Sequence, residues 1–326
     1  MGQEQEMENL AMLAEIADLY YIKEIPQAEI AEKLFFSKSK VSRMLQRARE
    51  LGIVEITIKH PVERLPELEA ELCRLFGLRE AIVIRNYPEN NQADIRLKRL
   101  GRVAATYLDD LLQDGDTIGL SWGRTLFQMV SQLTPKEPRN IRVAQVMGVA
   151  ADHYKAETDS PSLVRTMAAK YGGSYSQIYA PLFVNSDIVK NLLIKEPVIA
   201  SALAEAAAVK HLVTGIADFM AGDKTISWAG YLTAPLKQTL LQRGTQGFMC
   251  GHFLDKNGNP SSELMESHLI GISLKELRGI GNVIAVAGGV EKAHATLAAL
   301  RGKYINCLVT DEHTVQGMLE LYRTKQ

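Results

Sequence analysis

From about residue 78 onward, short apolar runs alternate with longer amphipathic stretches, and no other feature constrains the fold of this chain as strongly. Ala81–Ile84, Thr117–Leu120, Ile141–Val146, His211–Gly215, Val283–Ala287 and Asn306–Val309 are short, rich in Val and Ile, and read as buried strands. Helical periodicity follows several of them, near Leu126–Leu133, Lys292–Leu300 and Thr314–Tyr322. Such an alternation predicts an α/β domain built on a mostly parallel sheet. In sheets of this kind ligands bind beyond the carboxyl ends of the strands.

Two strand-to-helix junctions have the composition of ligand loops. In Gly119-Leu120-Ser121-Trp122-Gly123-Arg124-Thr125 a strand runs through small residues into a helix. Gly123 lets backbone amides approach an anion, and a helix start adds partial positive charge. Ser121, Arg124 and Thr125 supply donors, and Trp122 can stack on a sugar face. Ala287-Gly288-Gly289-Val290-Glu291-Lys292 repeats the pattern, with a lysine in the first turn. Glycine at a strand end is also an ordinary turn residue, so each loop alone says little.

The N-terminal end has a different character. Leu10, Leu13, Ile16, Ala17 and Tyr20 recur at helical spacing and predict a first helix of about a dozen residues. Pro26 marks the start of a second helix, with Ile30, Ala31 and Leu34 on its apolar side. Ser37 or Ser39 caps a third. There Val41, Met44, Leu45, Ala48 and Leu51 fall on one side, and Ser39, Ser42, Arg43, Gln46 and Arg47 on the other, with Lys40 at its edge. Gly52 ends the helix, and Val54–Ile58 alternates like a strand that could form a wing. Between Ser37 and Glu50 stand Lys38, Lys40, Arg43, Arg47 and Arg49 against a single acid, on a chain of net charge −1. Local positive charge on a near-neutral protein points to a polyanion. The expectation is an all-α winged helix-turn-helix over residues 1–60 that reads double-stranded DNA. Ser39, Lys40, Ser42 and Arg43 are the candidates for base edges, Lys38 and Arg47 for phosphates, and Gln27 stands at the start of the second helix. The bland alternative is a solvated basic face. The turn position that often holds glycine is Phe35.

Residues 61–77 are expected to be a linker or dimerisation helix. Leu65, Leu68, Leu72 and Leu75 follow Pro66's helix start at the spacing of a short coiled-coil seam. A helix packed on its own domain has the same spacing. The chain is long enough for one small and one large domain, the large one covering 78–326. Cys73, Cys250 and Cys307 are scattered without CxxC spacing, which fits a reducing cytoplasm and offers no metal site. No apolar run is long enough to span a membrane. An HExxH pair and a Walker A loop are both lacking. His252 and Asp255 are the nearest candidates for an acid/base pair, and Asp255-Lys256-Asn257-Gly258 has turn chemistry.

The motifs IPQAEIAEKL, SKSKVSRML, ARELGIV, GLSWGRT, TGIADF, WAGYLT, FLDKNGN, VIAVAGGVEKAHA and LRGKYINCLVTDEHT, spread over essentially the whole chain, resemble the SorC (SorC/DeoR-type) family of bacterial transcriptional regulators. GLSWGRT and LRGKYINCLVTD look especially like its sorbose-responsive branch. The resemblance implies a C-terminal Rossmann-like domain similar to the sugar-phosphate isomerase/deaminase fold, without the catalytic residues. It implies a cytoplasmic homo-oligomer, a dimer or tetramer, controlling a carbohydrate-utilisation operon through a sugar, polyol or sugar-phosphate effector, and no cofactor. Carried onto this sequence, the effector site would comprise Ser121, Trp122, Gly123, Arg124 and Thr125; Gly148 on the next strand end; Gly215 and Ile216 on the floor; Asp255 accepting from sugar hydroxyls; and Gly288, Gly289 and Lys292 as the second loop. Some relatives have a Schiff-base lysine where Met147 stands, so binding here is expected to be reversible and non-covalent. The rival expectation is a sugar-phosphate isomerase or deaminase carrying an accessory DNA-binding domain.

Overall fold

The structure, a computed structural model, describes residues 2–54, 62–87, 92–150, 159–219 and 232–324, with side chains from residue 9 onward. The chain divides into two compact units, residues 1–61 and 62–326.

The first unit holds α1 (Gly2–Ala17), a π-turn over Asp18–Ile22, α2 (Gln27–Lys33) and α3 (Lys38–Glu50). Leu13, Ile16, Leu19, Ile30, Val41, Leu45 and Ala48 interlock as its core. Pro26 is the N-cap of α2, one residue outside the helix. Phe35 resolves its turn by adopting φ +56°. It ends α2 as glycine would: the Phe36 amide donates to Ala31 O at 2.8 Å and the Phe35 amide to Glu32 O at 3.3 Å. The α3 terminus repeats the motif with Gly52 (φ +72°), Ile53 N to Ala48 O and Gly52 N to Arg49 O. Leu51, expected on the buried side, lies past the last helical turn and is exposed. The expected strand over Val54–Ile58 lies outside the described residues from 55 onward.

The second unit runs α4 (Pro66–Phe76), β1 (Glu80–Ile84), α5 (Ala93–Leu111), β2 (Thr117–Leu120), α6 (Arg124–Gln132), β3 (Arg142–Gln145), α7 (Ser160–Tyr171), β4 (Ser174–Ser176), α8 (Asp187–Leu193), α9 (Pro197–Ala207), β5 (His211–Gly215), β6 (Ala217–Asp218), α10 (Ala234–Gln242), β7 (Thr245–Met249), β8 (His252–Asp255), α11 (Glu263–His268), α12 (Leu274–Gly279), β9 (Asn282–Val286), α13 (Ala293–Arg301), β10 (Cys307–Asp311) and α14 (Glu312–Arg323). Seven strands form one all-parallel sheet in the order β1-β10-β9-β5-β2-β3-β4. Strands β6, β7 and β8 form a small antiparallel sheet.

α4 is part of this unit. Leu72 is fully buried, and Leu65, Leu68 and Leu75 pack around it on the same core. The helix also covers the edge of the sheet, since Glu69 Oε1 accepts from the Val83 amide at 2.9 Å. Covering a sheet edge removes a template for unwanted strand pairing. The four leucines expected to form a seam therefore serve the chain's own core.

The two faces of the large sheet carry different elements. Side chains of α5, α6 and α7, including Leu100, Leu126 and Val164, pack on one face. On the other face pack α4, α13, α14 and the small sheet, including Leu297, Val315 and Phe248.

Candidate functional site

The strand that changes face marks the site. β2 and β5 are neighbours, with Leu120 opposite Val213. β2 leads into α6 on one face, and β5 leads into the small sheet on the other. That divergence puts the switch point of the sheet beyond the carboxyl ends of the two strands, where open α/β sheets hold ligands in a crevice. Ser121–Thr125 and Gly215 lie side by side there; a Cβ built on Gly215 would stand 3.8 Å from Trp122 O, in ordinary contact.

Within the first loop the work is divided. Ser121 is buried, its amide donates to Val213 O at 3.1 Å, and its hydroxyl donates to Thr214 Oγ1 at 3.1 Å. Thr125 is buried too. Gly123 takes φ +130°, and a Cβ there would meet nothing within 4 Å. It is the N-cap of α6 and supplies no side-chain cap, so the first-turn amides lack the partner a Ser or Asp would give them. Arg124 beside them is exposed. An open helix start with an adjacent guanidinium favours an anionic or hydroxyl-rich ligand. Ser121 holds the loop through its hydroxyl and amide, while Gly123 has open space around it and Arg124 is exposed.

The second loop is built differently. The Gly289 amide donates to Asp311 Oδ2 and to Thr314 Oγ1, both at 2.7 Å. Asp311 is fully buried, and its Oδ1 accepts from the Thr314 amide at 3.0 Å and from Asn86 Nδ2 at 3.2 Å. A Cβ on Gly288 would lie 2.2 Å from Leu100 Cδ1 and 2.4 Å from Asp311 Oδ2. Glycine is required here because α5 and β10 close over it. Lys292 is half-buried at the end of the 3-10 turn Val290–Lys292.

In the first unit, Ser37 caps α3 by accepting from the Lys40 amide at 3.2 Å. Lys38, Ser39, Lys40, Ser42, Arg43 and Arg47 are all exposed on the helix whose other side buries Val41, Leu45 and Ala48; Gln27 is half-buried at the start of α2. Lys40 Nζ sits 3.6 Å over the Phe36 ring centre. Arg43 Nε reaches Ser39 O at 3.4 Å, and Arg47 pairs with Glu50 at 3.2 Å. The tethers are local and exposed, so their release costs little.

A family profile described as "Putative sugar-binding domain" matches residues 60–320. The chain belongs to this family, in its SorC-type regulators. It is 31% identical over 305 residues to the deoxyribonucleoside regulator of Bacillus subtilis (strain 168), covering 94% of this chain and 96% of that one. It is 28% identical to the sorbitol operon regulator of Klebsiella pneumoniae, over 96% and 99% of the two chains. The full-length crystal structure of that sorbitol regulator, SorC, matches with a TM-score of 0.72 at 27% identity, covering 96% of this chain and 99% of that one. A transcriptional regulator from Streptococcus pneumoniae TIGR4 matches with a TM-score of 0.74 at 27% identity, over 79% of this chain and 97% of that one. The similar identities to the deoxyribonucleoside and sorbitol regulators single out no sugar-specific branch. The chain is thus a SorC-type transcriptional regulator with a sugar-binding effector domain.

Other residues nominated from the sequence of this regulator fall elsewhere. Gly148 follows the end of β3, but its amide donates to Ile270 O at 2.8 Å, and a Cβ on it would strike Pro181 O at 2.4 Å. Neighbouring backbone accounts for that glycine. Met147 and Ile216 are buried in the core. Asp255 departs furthest from expectation. Its Oδ1 accepts from the Asn257 and Asn259 amides at 2.8 Å each, closing its own turn. Gly258 in that turn abuts Gly302, at the far end of α13 from the Gly288–Lys292 loop. The carboxylate therefore stands at the opposite end of the sheet. His252 does not face Asp255 as an acid/base partner either. Its Nδ1 lies 2.8 Å from Glu266 and its Nε2 2.9 Å from Ile272 O, which staples β8 to α11 and the segment before α12.

Thr214 was not legible from the sequence. Fully buried under the crevice, its Oγ1 accepts from Ser121 and from Cys250 Sγ at 3.2 Å, and donates to Gly215 O at 2.9 Å. Burial pushes the Cys250 thiol up to about 12, so it acts as a packed weak donor and not as a nucleophile. The only hint was a hydroxyl in the last positions of an apolar strand.

Proposed function

We propose that this regulator binds a sugar, polyol or sugar phosphate in the crevice between Ser121–Thr125 and Gly215, and reads operator DNA with α3 as the recognition helix of a helix-turn-helix. The observation that carries the effector reading is the uncapped start of α6 at the switch point, with Arg124 beside it. Such a start recognises phosphate or a carbohydrate oxygen through backbone amides. Gly123 supplies close approach, Arg124 the charge, and Trp122 an apolar wall; Thr214 positions the loop from below. Lys292, in the turn after β9, the strand beside β5, is a further basic residue at this end of the sheet. Met147 offers no amine, so the ligand is held reversibly. We place the protein in the cytoplasm with its DNA; among the described residues no helix is long and apolar enough to cross a membrane.

The DNA reading rests on six exposed polar residues over a buried apolar stripe. Ser39, Lys40, Ser42 and Arg43 sit in the first half of α3, where a recognition helix meets base edges, with Lys38 and Arg47 on phosphates and Gln27 alongside. Binding to DNA should fall steeply between roughly 50 and 200 mM salt, as phosphate contacts release counterions. Arg43→Ala should cost about 1–3 kcal/mol, concentrated on one base pair. A uniform loss would make Arg43 a phosphate contact, and a flat salt response would remove the DNA reading. The enzyme reading loses its nominated pair, since His252 and Asp255 are each engaged with other partners. Turnover of any sugar phosphate by the purified protein would restore it.

A further inference from the structure

We propose that Phe35, in the turn ahead of α3, is a specificity contact that packs on the methyl group of a thymine at the edge of the half-site. The two adjacent phenylalanines of this turn have opposite surroundings. Phe36 packs against the core of the first unit, and Lys40 Nζ stands 3.6 Å over its ring. Phe35 is 95% exposed, the most exposed large hydrophobic side chain among the described residues. It also holds φ +56°, a backbone conformation that suits glycine or asparagine and disfavours a bulky side chain. The bonds that end α2 here, Phe35 N to Glu32 O and Phe36 N to Ala31 O, are made by the backbone alone. A glycine would make them equally well. The ring of Phe35 thus adds almost no contact within the chain, and it leaves its apolar surface in water.

Charge and position name what the ring meets. From Lys33 to Arg49 the chain carries Lys33, Lys38, Lys40, Arg43, Arg47 and Arg49 and no acid. An exposed aromatic side chain inside a stretch of one sign fits a polyanion that also presents apolar groups. Duplex DNA does so in its major groove, where the thymine methyl stands among the hydrogen-bonding base edges and is matched by side chains such as Phe. Phe35 lies two residues ahead of Ser37, the N-cap of α3, so its Cα stands within about 8 Å of the cap. The first residues of a recognition helix are those that enter the groove, and the turn leading into them lies against its rim. The contact rests on the DNA reading above and adds to it. Ser39, Lys40, Ser42 and Arg43 end in polar groups that read hydrogen-bonding edges, and none of them is matched to a methyl group. An uncharged ring brings no counterion release, so its contribution is to sequence preference and not to general affinity.

The test titrates the full chain onto duplex DNA that it selects from a random pool, and onto the same duplex with each thymine replaced in turn by deoxyuridine, which lacks only the methyl group. Phe35→Gly and Phe35→Asn both suit the left-handed backbone and are expected to leave circular dichroism unchanged. Both are expected to bind the selected DNA at least about fourfold more weakly, the worth of one buried methyl group, while Phe35→Tyr binds like the unaltered chain. One deoxyuridine replacement is expected to weaken the unaltered chain by the same factor and to leave Phe35→Gly unmoved. The slope of log K against log salt should stay the same in Phe35→Gly and fall by about one in Lys38→Ala. Equal binding by Phe35→Gly and the unaltered chain overturns the contact, and the ring then serves no DNA. A loss in Phe35→Gly that persists at full size on every deoxyuridine duplex also overturns it, because the ring then acts through the fold or the sugar-phosphate backbone. The two readings separate cleanly. An unaltered chain that selects no DNA refutes the DNA reading and the contact with it; an unaltered chain that binds no better than Phe35→Gly refutes the contact alone.

Discussion

Gly123 and Gly289 look alike in the sequence and do opposite things in the fold. Both follow a strand, both adopt φ beyond +100°, and both lead into a helical turn with a basic residue nearby. Around Gly123 there is open space, and the α6 amides have no side-chain cap. Around Gly289 a buried carboxylate and a hydroxyl take the amide, and Gly288 is packed against Leu100. The first loop is left open by the rest of the chain; the second is a joint. The difference teaches that a glycine at a strand end is free to serve as a ligand cradle only where no side chain from elsewhere in the chain takes up the loop's hydrogen bonds.

The contrast can be broken at its strongest point first. Asp311→Ala removes the acceptor of three donors at a fully buried position and is expected to destabilise the fold by roughly 2–4 kcal/mol in urea titration. Gly288→Ala should cost about 1–3 kcal/mol, because α5 and β10 must give way to the new methyl group. A cost near zero for either would mean that the second loop is as free as the first. Arg124→Ala is expected to change stability by no more than about 0.5 kcal/mol, as an exposed side chain. It should instead abolish the ligand's stabilisation, about 2.7 kcal/mol at 100 times Kd. Thermal shift against a panel of sugars and sugar phosphates reads both.

The amino-terminal end of the sheet gives a smaller, ligand-independent control. His211 is buried there, with Nε2 on Asp116 at 3.1 Å and Nδ1 on Asn282 at 2.9 Å. Burial holds its imidazole below the ordinary value, outweighing the attraction of Asp116. The folded chain therefore prefers neutral His211. That contribution is fully present above pH ~6.5 and is lost as pH falls below it. His211→Gln should flatten the slope of urea stability between about pH 6.5 and 5, while Arg124→Ala should leave it unchanged.

The central strands were legible because strands buried on both faces read as continuous apolar runs. β4, Ser-Tyr-Ser at the sheet edge, carries no such signal, and the β7–β8 hairpin turns on Cys250 at φ +49°, a residue with no turn preference. The leucines of α4 have one spacing for two outcomes, and only burial shows that they pack on the unit's own core beside β1. At the site, the first loop was readable because everything it offers lies within five consecutive residues. The second was misleading because its fate is set by Asp311 and Thr314, more than twenty residues downstream. Asp255 was legible in the plainer of its two senses: the turn chemistry of Asp-Lys-Asn-Gly is what its carboxylate serves.

One measurement bears most directly on the whole account. DNA selected by the chain from a random pool is titrated with the unaltered protein and with Arg124→Ala, each with and without the sugar or sugar phosphate that gives the largest thermal shift. Both proteins are expected to bind the DNA equally without ligand, and the ligand to change the affinity of the unaltered chain alone, by about fivefold or more. A ligand response that survives intact in Arg124→Ala would contradict it.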